Sequence, residues 1–367
     1  MKKLFYSLFA LFFNISRILP VKKGRVVLLA PHKGGAHDSL SITGEYLKEK
    51  GYEVLTVSTA QMSTVSGALS FFINGSRKLA TAEYVFLNDN FMPMASLNFS
   101  KKAVITQLWH AEGAFKKFGL LAPLTDEIAE RERKCSEKLT FITCTSKNLV
   151  SVYAEAFGVD ESKILPAGSP RLDYLLGKHN TEKIRADFDK SHSGCKGKKL
   201  ILYAPTFRDN PVADSEILSH LNPELFEKEL GDEYVLLVKL HPQIHAEAAA
   251  GFIDVTKEDI GPLTLICDKV ITDYSSVCMD FALLDKPCIF FAYDLEEYEK
   301  ERSFCFGYED YIPGKAVRTF EEVIEEIKNP RSSGNAENFR EFNFDYIDTH
   351  NTERLWNQIQ NIISSSR

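Results

Sequence analysis

Residues 107–119, QLWHAEGAFKKFG, combine side chains that could do acid–base chemistry. His110 and Glu112 follow an apolar run that is typical of a buried strand. A histidine exchanges its proton near neutral pH, so His110 could act as a general base with Glu112 in support. The alternative is that His110 only ends a strand and that the lysines after it cover a solvated helix.

Two further groups of residues follow predicted strands and could hold an anion. The segment YAPTFRDN (203–210) offers Thr206 and Arg208, and a guanidinium group matches the geometry of phosphate oxygens. The segment VLLVKLHPQ (235–243) ends in Lys239 and His241, which strand alternation places on one face. The alternatives are an exposed arginine on a turn and a histidine buried in the core.

The segment KVITDYSSVCMDFALLDKPCIFF (269–291) has the pattern of strand, tight turn, helix and strand. Ser275 and Ser276 fall at the predicted helix start, where free backbone N–H groups and the helix dipole favour phosphate. Asp280 lies four residues after Ser276, one turn further along the helix. The alternative is that the two serines simply cap the helix.

The elements that position these residues alternate between strand and helix after Pro20. Apolar runs such as 25–31 predict strands that are buried on both faces, and helical patterns such as 39–51 follow them. We predict an α/β protein with two Rossmann-like domains that face across a cleft, with the candidate residues past the strand ends. The predicted boundaries are 1–21 for an amphipathic membrane-associating segment, 22–178 for an acceptor-side domain, 190–345 for a nucleotide-donor domain, and 346–367 for a helix that packs back on the first domain.

The N-terminal segment is basic and apolar. No Asp or Glu precedes Asp38, whereas seven Lys or Arg residues do. Its unbroken apolar core, Leu8 to Phe13, is shorter than the ~20 residues that a spanning helix needs, and no secretory cleavage site follows. We predict a monotopic helix on the anionic, cytoplasmic face of the cell membrane, with a core helix as the alternative.

Composition and absent motifs narrow the functional class. The net charge of −7 argues against a general nucleic-acid binder, and seven scattered cysteines without a CxxC pair predict reduced, mostly buried thiols. The sequence has no GxxxxGK[ST], GxGxxG or HExxH motif, which argues against a P-loop enzyme, a nicotinamide cofactor and a zinc site. No cofactor and no metal site are predicted, although the sequence leaves a divalent cation open.

These motifs, in this order, resemble the CDP-glycerol glycerophosphotransferase family of teichoic acid and related polymer synthesis. The resemblance spans residues 77–319 and rests on RKLATAEYVFLNDN, QLWHAEGAFKKFG, GSPRLD, APTFR, VKLHP, ITDYSSVCMDFALLDKPCIFFAYDLEEY and YEDYIPG. It implies a GT-B-like pair of domains in a membrane-bound enzyme. It also implies transfer of glycerol phosphate from CDP-glycerol to a hydroxyl of a lipid-linked acceptor of the undecaprenyl diphosphate type, with release of CMP.

The resemblance also implies roles for individual residues. His110 and His241 match family histidines, so we expect His110, His241 and Glu112 to be catalytic. We expect the donor to be held by Arg171 of the GxPR motif and by Thr206, Arg208, Lys239, Ser275, Ser276 and Asp280. Where the family usually reads RGFYFDYE, this chain reads RSFCFGYE (302–309), which leaves the choice between glycerol and ribitol open.

Several other functions fit the same residues. The donor could be CDP-ribitol or another nucleotide-linked substrate of a transferase with this fold. The chain could also be a catalytically silent, membrane-bound partner of a polymer-synthesis complex, or a sugar epimerase of similar architecture. A single catalytic unit favours a primase or a capsule enzyme over a long-chain polymerase, whereas the acceptor, the polymer and the oligomeric state are not predicted.

Overall fold

Two parallel β-sheets organise the chain in this computed structural model. The structure describes residues 2–31, 35–208, 214, 216–241, 244, 251–329 and 335–365, without the side chains of Lys2, Lys3 and Gln61. The chain divides into a first unit, Met1–Tyr174 with Asn343–Arg367, and a second unit, Leu175–Phe342. The predicted α/β class with parallel sheets is confirmed.

The sheet of the first unit has six parallel strands in the order β2-β1-β3-β4-β5-β6. The strands are β1 Arg25–Ala30, β2 Glu53–Ser58, β3 Tyr84–Leu87, β4 Val104–Gln107, β5 Phe141–Thr143 and β6 Ile164–Leu165. Because β2 and β3 flank β1 on opposite sides, the strand order reverses between β1 and β3. In open parallel sheets, ligands bind outside the carboxyl ends of the strands at such a reversal.

The first unit also contains helices, which flank its sheet and include the helix at the N-terminus of the chain. They are α1 Lys2–Ser16, α2 Ser39–Glu49, α3 Val65–Ser70, a π-helical turn Phe71–Gly75, α4 Ser76–Ala80, α5 Asp126–Ser136, α6 Val150–Phe157, α7 Pro170–Leu175 and, near the C-terminus, α16 Asn351–Ser365. Helix α16 contributes Leu355, Trp356 and Ile359 to the same core as the β1 residues Val26 and Leu28. The C-terminal helix is therefore part of the first unit.

The sheet of the second unit also has six parallel strands, in the order β12-β11-β10-β7-β8-β9. They are β7 Lys199–Tyr203, β8 Tyr234–Val238, β9 Ile253–Asp254, β10 Lys269–Thr272, β11 Cys288–Phe291 and β12 Ala316–Val317. Counted from β7, this is the order 3-2-1-4-5-6 of a doubly wound fold, with its reversal between β7 and β10. The loops after these two strands contain the motifs APTFR and TDYSS.

The helices of the second unit pack on its strands through apolar faces. They are α8 Thr181–Ser191, α9 Pro223–Leu230, α10 Ile260–Ile266, α11 Val277–Leu283, α12 Leu295–Glu301, α13 Tyr308–Tyr311, α14 Phe320–Lys328 and α15 Ala336–Asn343. Strand β7 is buried on both faces because Leu200 and Ile201 belong to cores on opposite sides of the sheet. This double burial explains why the strand reads as a continuous apolar run.

Helix α1 is apolar on two sides. Phe9 and Phe13 are fully buried, and their rings lie 5.1 Å from Phe71 and 4.9 Å from Phe99 respectively. The opposite side exposes Leu11 and Ile15 by 55% and 56%. The interpretation of α1 as a core helix therefore applies only to the face that carries Phe9 and Phe13. None of the described helices is long and apolar enough to cross a bilayer.

Candidate active site

The loop after β4 turns His110 outward. Gln107 at the strand end is fully buried, and its side-chain oxygen accepts a hydrogen bond from the Trp109 backbone N–H at 3.0 Å. Trp109 has a φ of 61°, a left-handed conformation that costs a non-glycine residue about 1–3 kcal/mol. Its buried ring packs 5.1 Å from Phe118 and 5.2 Å from Phe157, which stabilises the turn. The strained turn leaves the His110 side chain 49% exposed.

The His110 ring is held through one of its two nitrogens. Its Nδ1 lies 3.2 Å from the backbone oxygen of Asn88 and 3.8 Å from Asp89 Oδ1. A ring that donates its Nδ1 hydrogen to a carbonyl has Nε2 as its proton-accepting nitrogen. The contact with the loop after β3 therefore leaves Nε2 as the ring nitrogen that can accept a proton.

Glu112 has surroundings different from those expected. It is buried, and its Oε1 accepts a hydrogen bond from Ser169 Oγ at 3.0 Å. Ser169 Oγ lies 3.0 Å from Ser39 Oγ, so Glu112 ends a buried chain of hydroxyl groups. The carboxylate beside His110 is that of Asp89, which lies in the RKLATAEYVFLNDN segment and was not among the predicted site residues. The supporting role predicted for Glu112 stays a prediction, and Asp89 lies 3.8 Å from the imidazole.

The segment Asn88–Asn90 connects His110 to two further carboxylates. Asn88 Nδ2 donates to Asp38 Oδ2 at 3.2 Å, and the other Asp38 oxygen caps helix α2. Burial raises the pKa of Glu132 on α5, nearby Asp89 raises it further, and a hydrogen bond from Asn90 offsets part of the rise. A polar cluster therefore surrounds the strand reversal in the first unit.

Arg171 lies in a segment that also fastens the C-terminal helix. Its backbone N–H donates to Ser39 Oγ at 3.3 Å, and the neighbouring Asp173 accepts hydrogen bonds from the backbone N–H groups of Asn351 and Thr352, both at 2.8 Å. Gly168 has a φ of +87°, and a Cβ there would lie 1.9 Å from Asn351 Oδ1. The GSPRLD motif is therefore partly structural, and the donor contact of Arg171 stays a prediction.

Arg208 is buried, whereas an arginine that binds a phosphate directly would need an exposed guanidinium group. Its side chain pairs with Asp294 through Nε and Nη2 at 2.6 and 2.9 Å, and with Asp273 Oδ2 at 2.9 Å. Its Nη1 donates to the backbone oxygen of Thr206 at 2.6 Å, and Arg208 is 4% exposed. Burial alone would lower the pKa of Arg208, but the two carboxylates raise it overall. The expectation that its guanidinium grips the diphosphate directly does not agree with this geometry.

Thr206 is the other buried member of the APTFR motif. Its backbone N–H donates to Asp273 Oδ1 at 2.8 Å, which connects the loops after β7 and β10. The residue is 4% exposed, and its hydroxyl oxygen has no hydrogen-bond partner among the described residues. Its predicted donor contact stays a prediction.

Lys239 and His241 lie beyond the end of β8 at Val238. The Lys239 ammonium donates to the backbone oxygens of Thr256 and Glu258 at 3.1 and 2.5 Å, and burial lowers the pKa of Lys239. This residue therefore ties β8 to the loop after β9 and is not simply presented to an anion. The ring of His241 is partly exposed and packs 4.6 Å from Phe207; Pro242 and Gln243 lie outside the described residues.

Ser275 and Ser276 occupy the turn between β10 and α11, as predicted. Ser275 Oγ accepts a 3.4 Å hydrogen bond from the Val277 N–H, whereas the Ser276 side chain makes no capping bond. Both serines are partly exposed, but Asp280 is buried inside α11. Simple capping therefore does not account for Ser276, and the donor contacts of all three residues stay predictions.

The described residues hold no group of three or more His, Cys, Asp or Glu side chains that could bind a metal ion. All seven cysteines are free thiols, five of them buried, as the sequence predicted. Burial raises the pKa of Cys135 to about 11, so this thiol is protonated at neutral pH.

Comparison with known proteins identifies similar chains. Residues 11–361 match the family described as CDP-Glycerol:Poly(glycerophosphate) glycerophosphotransferase. The chain is 31% identical over 372 residues to the teichoic acid poly(ribitol-phosphate) polymerase of Bacillus spizizenii W23, covering 98% of this chain and 60% of that protein. It is 33% identical over 290 residues to the teichoic acid glycerol-phosphate primase of Bacillus subtilis 168, covering 76% and 74% respectively.

The matches differ in how much of each protein they cover. The chain spans less than two thirds of the length of the ribitol-phosphate polymerase. A solved structure of the wall teichoic acid polymerase TagF aligns with a TM-score of 0.82 over 99% of this chain and 94% of that chain, at 23% identity. At that identity the structural likeness shows the fold.

Proposed function

The chain belongs to the CDP-glycerol:poly(glycerophosphate) glycerophosphotransferase family, and we propose that it transfers glycerol phosphate from CDP-glycerol to a hydroxyl of a lipid-linked acceptor, releasing CMP. The observation that carries the proposal is the orientation of His110. Its Nδ1 lies 3.2 Å from a backbone oxygen, so its Nε2 is the nitrogen that accepts a proton. Asp89 Oδ1, 3.8 Å from Nδ1, stabilises the imidazolium that forms.

The reaction needs one proton transfer and one phosphoryl transfer. The acceptor oxygen attacks the phosphorus atom that carries glycerol, and its proton passes to His110 Nε2. The new O–P bond forms as the bond to CMP breaks, and the electron pair of that bond leaves on the CMP phosphate. Because charge spreads over phosphoryl oxygens, positioning and electrostatic stabilisation supply most of the rate.

We propose a narrower set of direct donor contacts than the sequence suggested. Ser275, Ser276 and His241 are partly exposed at the ends of β8 and β10, and Arg171 is partly exposed in the first unit. Their hydroxyl, imidazole and guanidinium groups can contact phosphate oxygens. In the second unit, the buried Thr206, Arg208 and Asp280 act from behind the exposed serines and His241, and Lys239 acts from its loop.

CDP-ribitol is the second candidate donor. The specific observation in its favour is the 31% identity, over 98% of the chain, to a poly(ribitol-phosphate) polymerase. A donor screen separates the candidates: the protein is incubated with a lipid-linked acceptor and CDP-glycerol, CDP-ribitol or a UDP-sugar. We expect acceptor-dependent CMP release from CDP-glycerol. Release from CDP-ribitol alone would reassign the donor, and release from no CDP-alcohol would contradict the proposed function.

We also propose that the first unit binds the cytoplasmic face of the membrane. Among the described residues, every exposed large apolar side chain belongs to this unit. Most lie on or near α1 and on the segment 65–73: Leu4, Leu8, Leu11, Ile15, Ile18, Leu19, Val65, Leu69 and Ile73. The ring of Phe72 lies 5.3 Å from Phe5 and 6.2 Å from Phe12, so the two segments form one surface.

Sedimentation with anionic vesicles tests this surface. Replacing Leu11 and Ile15 together by serine removes two exposed side chains whose full burial would each contribute about 1.5–3 kcal/mol. We expect vesicle binding to weaken about tenfold or more, while the melting temperature stays close to wild type. Ile347→Ser is the matched control, because Ile347 is 50% exposed and lies far along the chain from α1. Unchanged binding by the double variant would remove α1 from the membrane surface.

A further inference from the structure

Arg208 joins the loops that follow three neighbouring strands. Arg208 itself lies after β7, its partner Asp273 lies directly after β10, and its partner Asp294 lies shortly after β11. Both carboxylates contact the guanidinium within 3 Å, and the Arg208 side chain is 3% exposed. A buried and doubly paired guanidinium fixes the relative positions of the groups that bind it.

Tyrosine rings enclose this ion cluster. The guanidinium carbon of Arg208 lies 5.0 Å from the ring centre of Tyr274 and 5.1 Å from that of Tyr298, and the two rings stack at 3.9 Å. The Tyr274 hydroxyl donates to Asp294 Oδ1 at 2.9 Å. These rings exclude water, which strengthens the attraction between the guanidinium and its carboxylates.

The cluster leads directly into the serine turn. Asp273 and Tyr274 immediately precede Ser275, and Asp273 Oδ1 accepts from the backbone N–H groups of both Thr206 and Tyr274. The Tyr308 hydroxyl donates to the Asp273 backbone oxygen at 2.9 Å. The backbone that enters the turn is therefore fastened through its side chain and its carbonyl group.

We propose that Arg208 is a positioning residue: its buried guanidinium fixes the Ser275–Ser276 turn against which the donor phosphates bind, and it does not touch the donor. The role of the turn in donor binding rests on the proposed function, whereas its fixation by Arg208 does not. The competing account is the one the sequence suggested, in which Arg208 contacts the diphosphate. The two accounts differ in what happens when the arginine loses a protein partner.

Donor affinity in Arg208→Lys, Asp294→Asn and the double variant separates these accounts. Calorimetry with CDP-glycerol and CDP-ribitol measures the affinity. If Arg208 acts through the turn, each single change weakens binding about tenfold or more, and the double variant loses much less than the product of the two losses. If Arg208 contacts the donor, Asp294→Asn frees its guanidinium and binding is retained or strengthened. That result would overturn the proposal.

Hydrogen exchange tests the fixed turn without any donor. We expect amides in the peptide 273–283 to exchange about tenfold faster or more in Arg208→Lys and Asp294→Asn, while the strand peptide 234–238 keeps its wild-type rate. Wild-type exchange at 273–283 in both variants would refute the inference. If the wild-type protein binds neither CDP-alcohol, the proposed function fails, and the exchange rates still decide the role of Arg208.

Arg185→Lys is the matched control in both experiments. Arg185 pairs with Asp189 at 2.8 Å and donates to the backbone oxygens of Cys195 and Lys198, which precede β7, whereas Arg208 follows that strand. We expect wild-type donor affinity and wild-type exchange at 273–283 in this variant. If Arg208→Lys does not fold, Asp294→Asn carries the test, because it removes one of the two carboxylates that hold the guanidinium.

Discussion

The ionisable residues at the carboxyl ends of the two sheets differ in their exposure to solvent. In the first unit, His110 follows β4 on a strained turn and its side chain is 49% exposed. In the second unit, Arg208 follows β7 and is 4% exposed between two carboxylates. Similar parallel sheets therefore present one residue to solvent and enclose the other. The local partners decide which outcome occurs: a backbone carbonyl and one aspartate for His110, and two aspartates with aromatic rings for Arg208.

Because His110 is the exposed residue, we expect it to govern the chemical step. His110→Asn removes the base but retains an amide that can still donate to the Asn88 oxygen. We expect CMP release to fall about 10²–10⁴-fold, the usual contribution of a general base, with little change in donor affinity or melting temperature. His350→Asn is the control, because His350 is a similarly exposed histidine of the first unit that pairs with Glu353.

The enclosed residue should govern stability. Arg208→Ala removes the cation that pairs with the buried Asp273 and the partly buried Asp294. We expect the free energy of unfolding of the second unit to fall by about 3–5 kcal/mol, as for other broken buried ion pairs. Denaturant unfolding measures the loss, and adding Asp294→Asn should restore part of it. A loss below about 1 kcal/mol would show that the cluster is not a structural centre.

Asp89 should have a smaller effect than His110 on the rate of CMP release. Its carboxylate lies 3.8 Å from Nδ1 at a site open to solvent, where such a pair contributes about 1 kcal/mol. We expect Asp89→Asn to slow CMP release about fivefold, because the imidazolium that forms during the reaction loses a stabilising charge. Glu112→Gln should lower stability more than it alters this rate, because Glu112 is buried against Ser169. A wild-type rate of CMP release in Asp89→Asn would show that this carboxylate does not support the base.

Glu132 should give the smallest effect. Burial, followed by the Asp89 charge, raises the pKa of Glu132, so the folded state holds this proton more tightly than the unfolded state. The stability that the bound proton of Glu132 contributes is complete below the ordinary glutamate pKa. It is lost as the pH rises through the raised pKa of the folded state. We expect Glu132→Gln to match wild type near pH 4 and to be more stable at pH 7.5 by less than about 1 kcal/mol. Urea unfolding at both pH values measures this, with the exposed Glu130→Gln on the same helix as the control.

The sequence predicted the framework well because the strands are buried on both faces. Continuous apolar runs identified β1 and β7, and the helical pattern identified α2. The position of His110 after a strand could also be predicted, since parallel strands end at a common edge. The paired serines likewise lie in the turn where the pattern placed them.

The side-chain partners could not be predicted because they depend on contacts between distant parts of the chain. Arg208 and Asp294 are 86 residues apart, and Asp273 belongs to another motif that the sequence suggested as a ligand site. Asp89 comes from the loop after β3, whereas Glu112 is only two residues from His110 in the sequence, and the left-handed φ of Trp109 between β4 and His110 was not predicted either. Ser303 has a φ of 60° where the resembled family usually has glycine, so that sequence departure also marks a backbone feature.

The rate of CMP release at saturating CDP-glycerol, with a lipid-linked acceptor, tests the division between the two sheet edges most directly. Asp294→Asn and His110→Asn are compared with wild type in this one assay. We expect Asp294→Asn to reach most of the wild-type rate, because its defect lies in donor binding and saturating donor compensates for it. We expect His110→Asn to remain at least about a hundredfold slower. A wild-type rate in His110→Asn would contradict the assignment of His110 as the base.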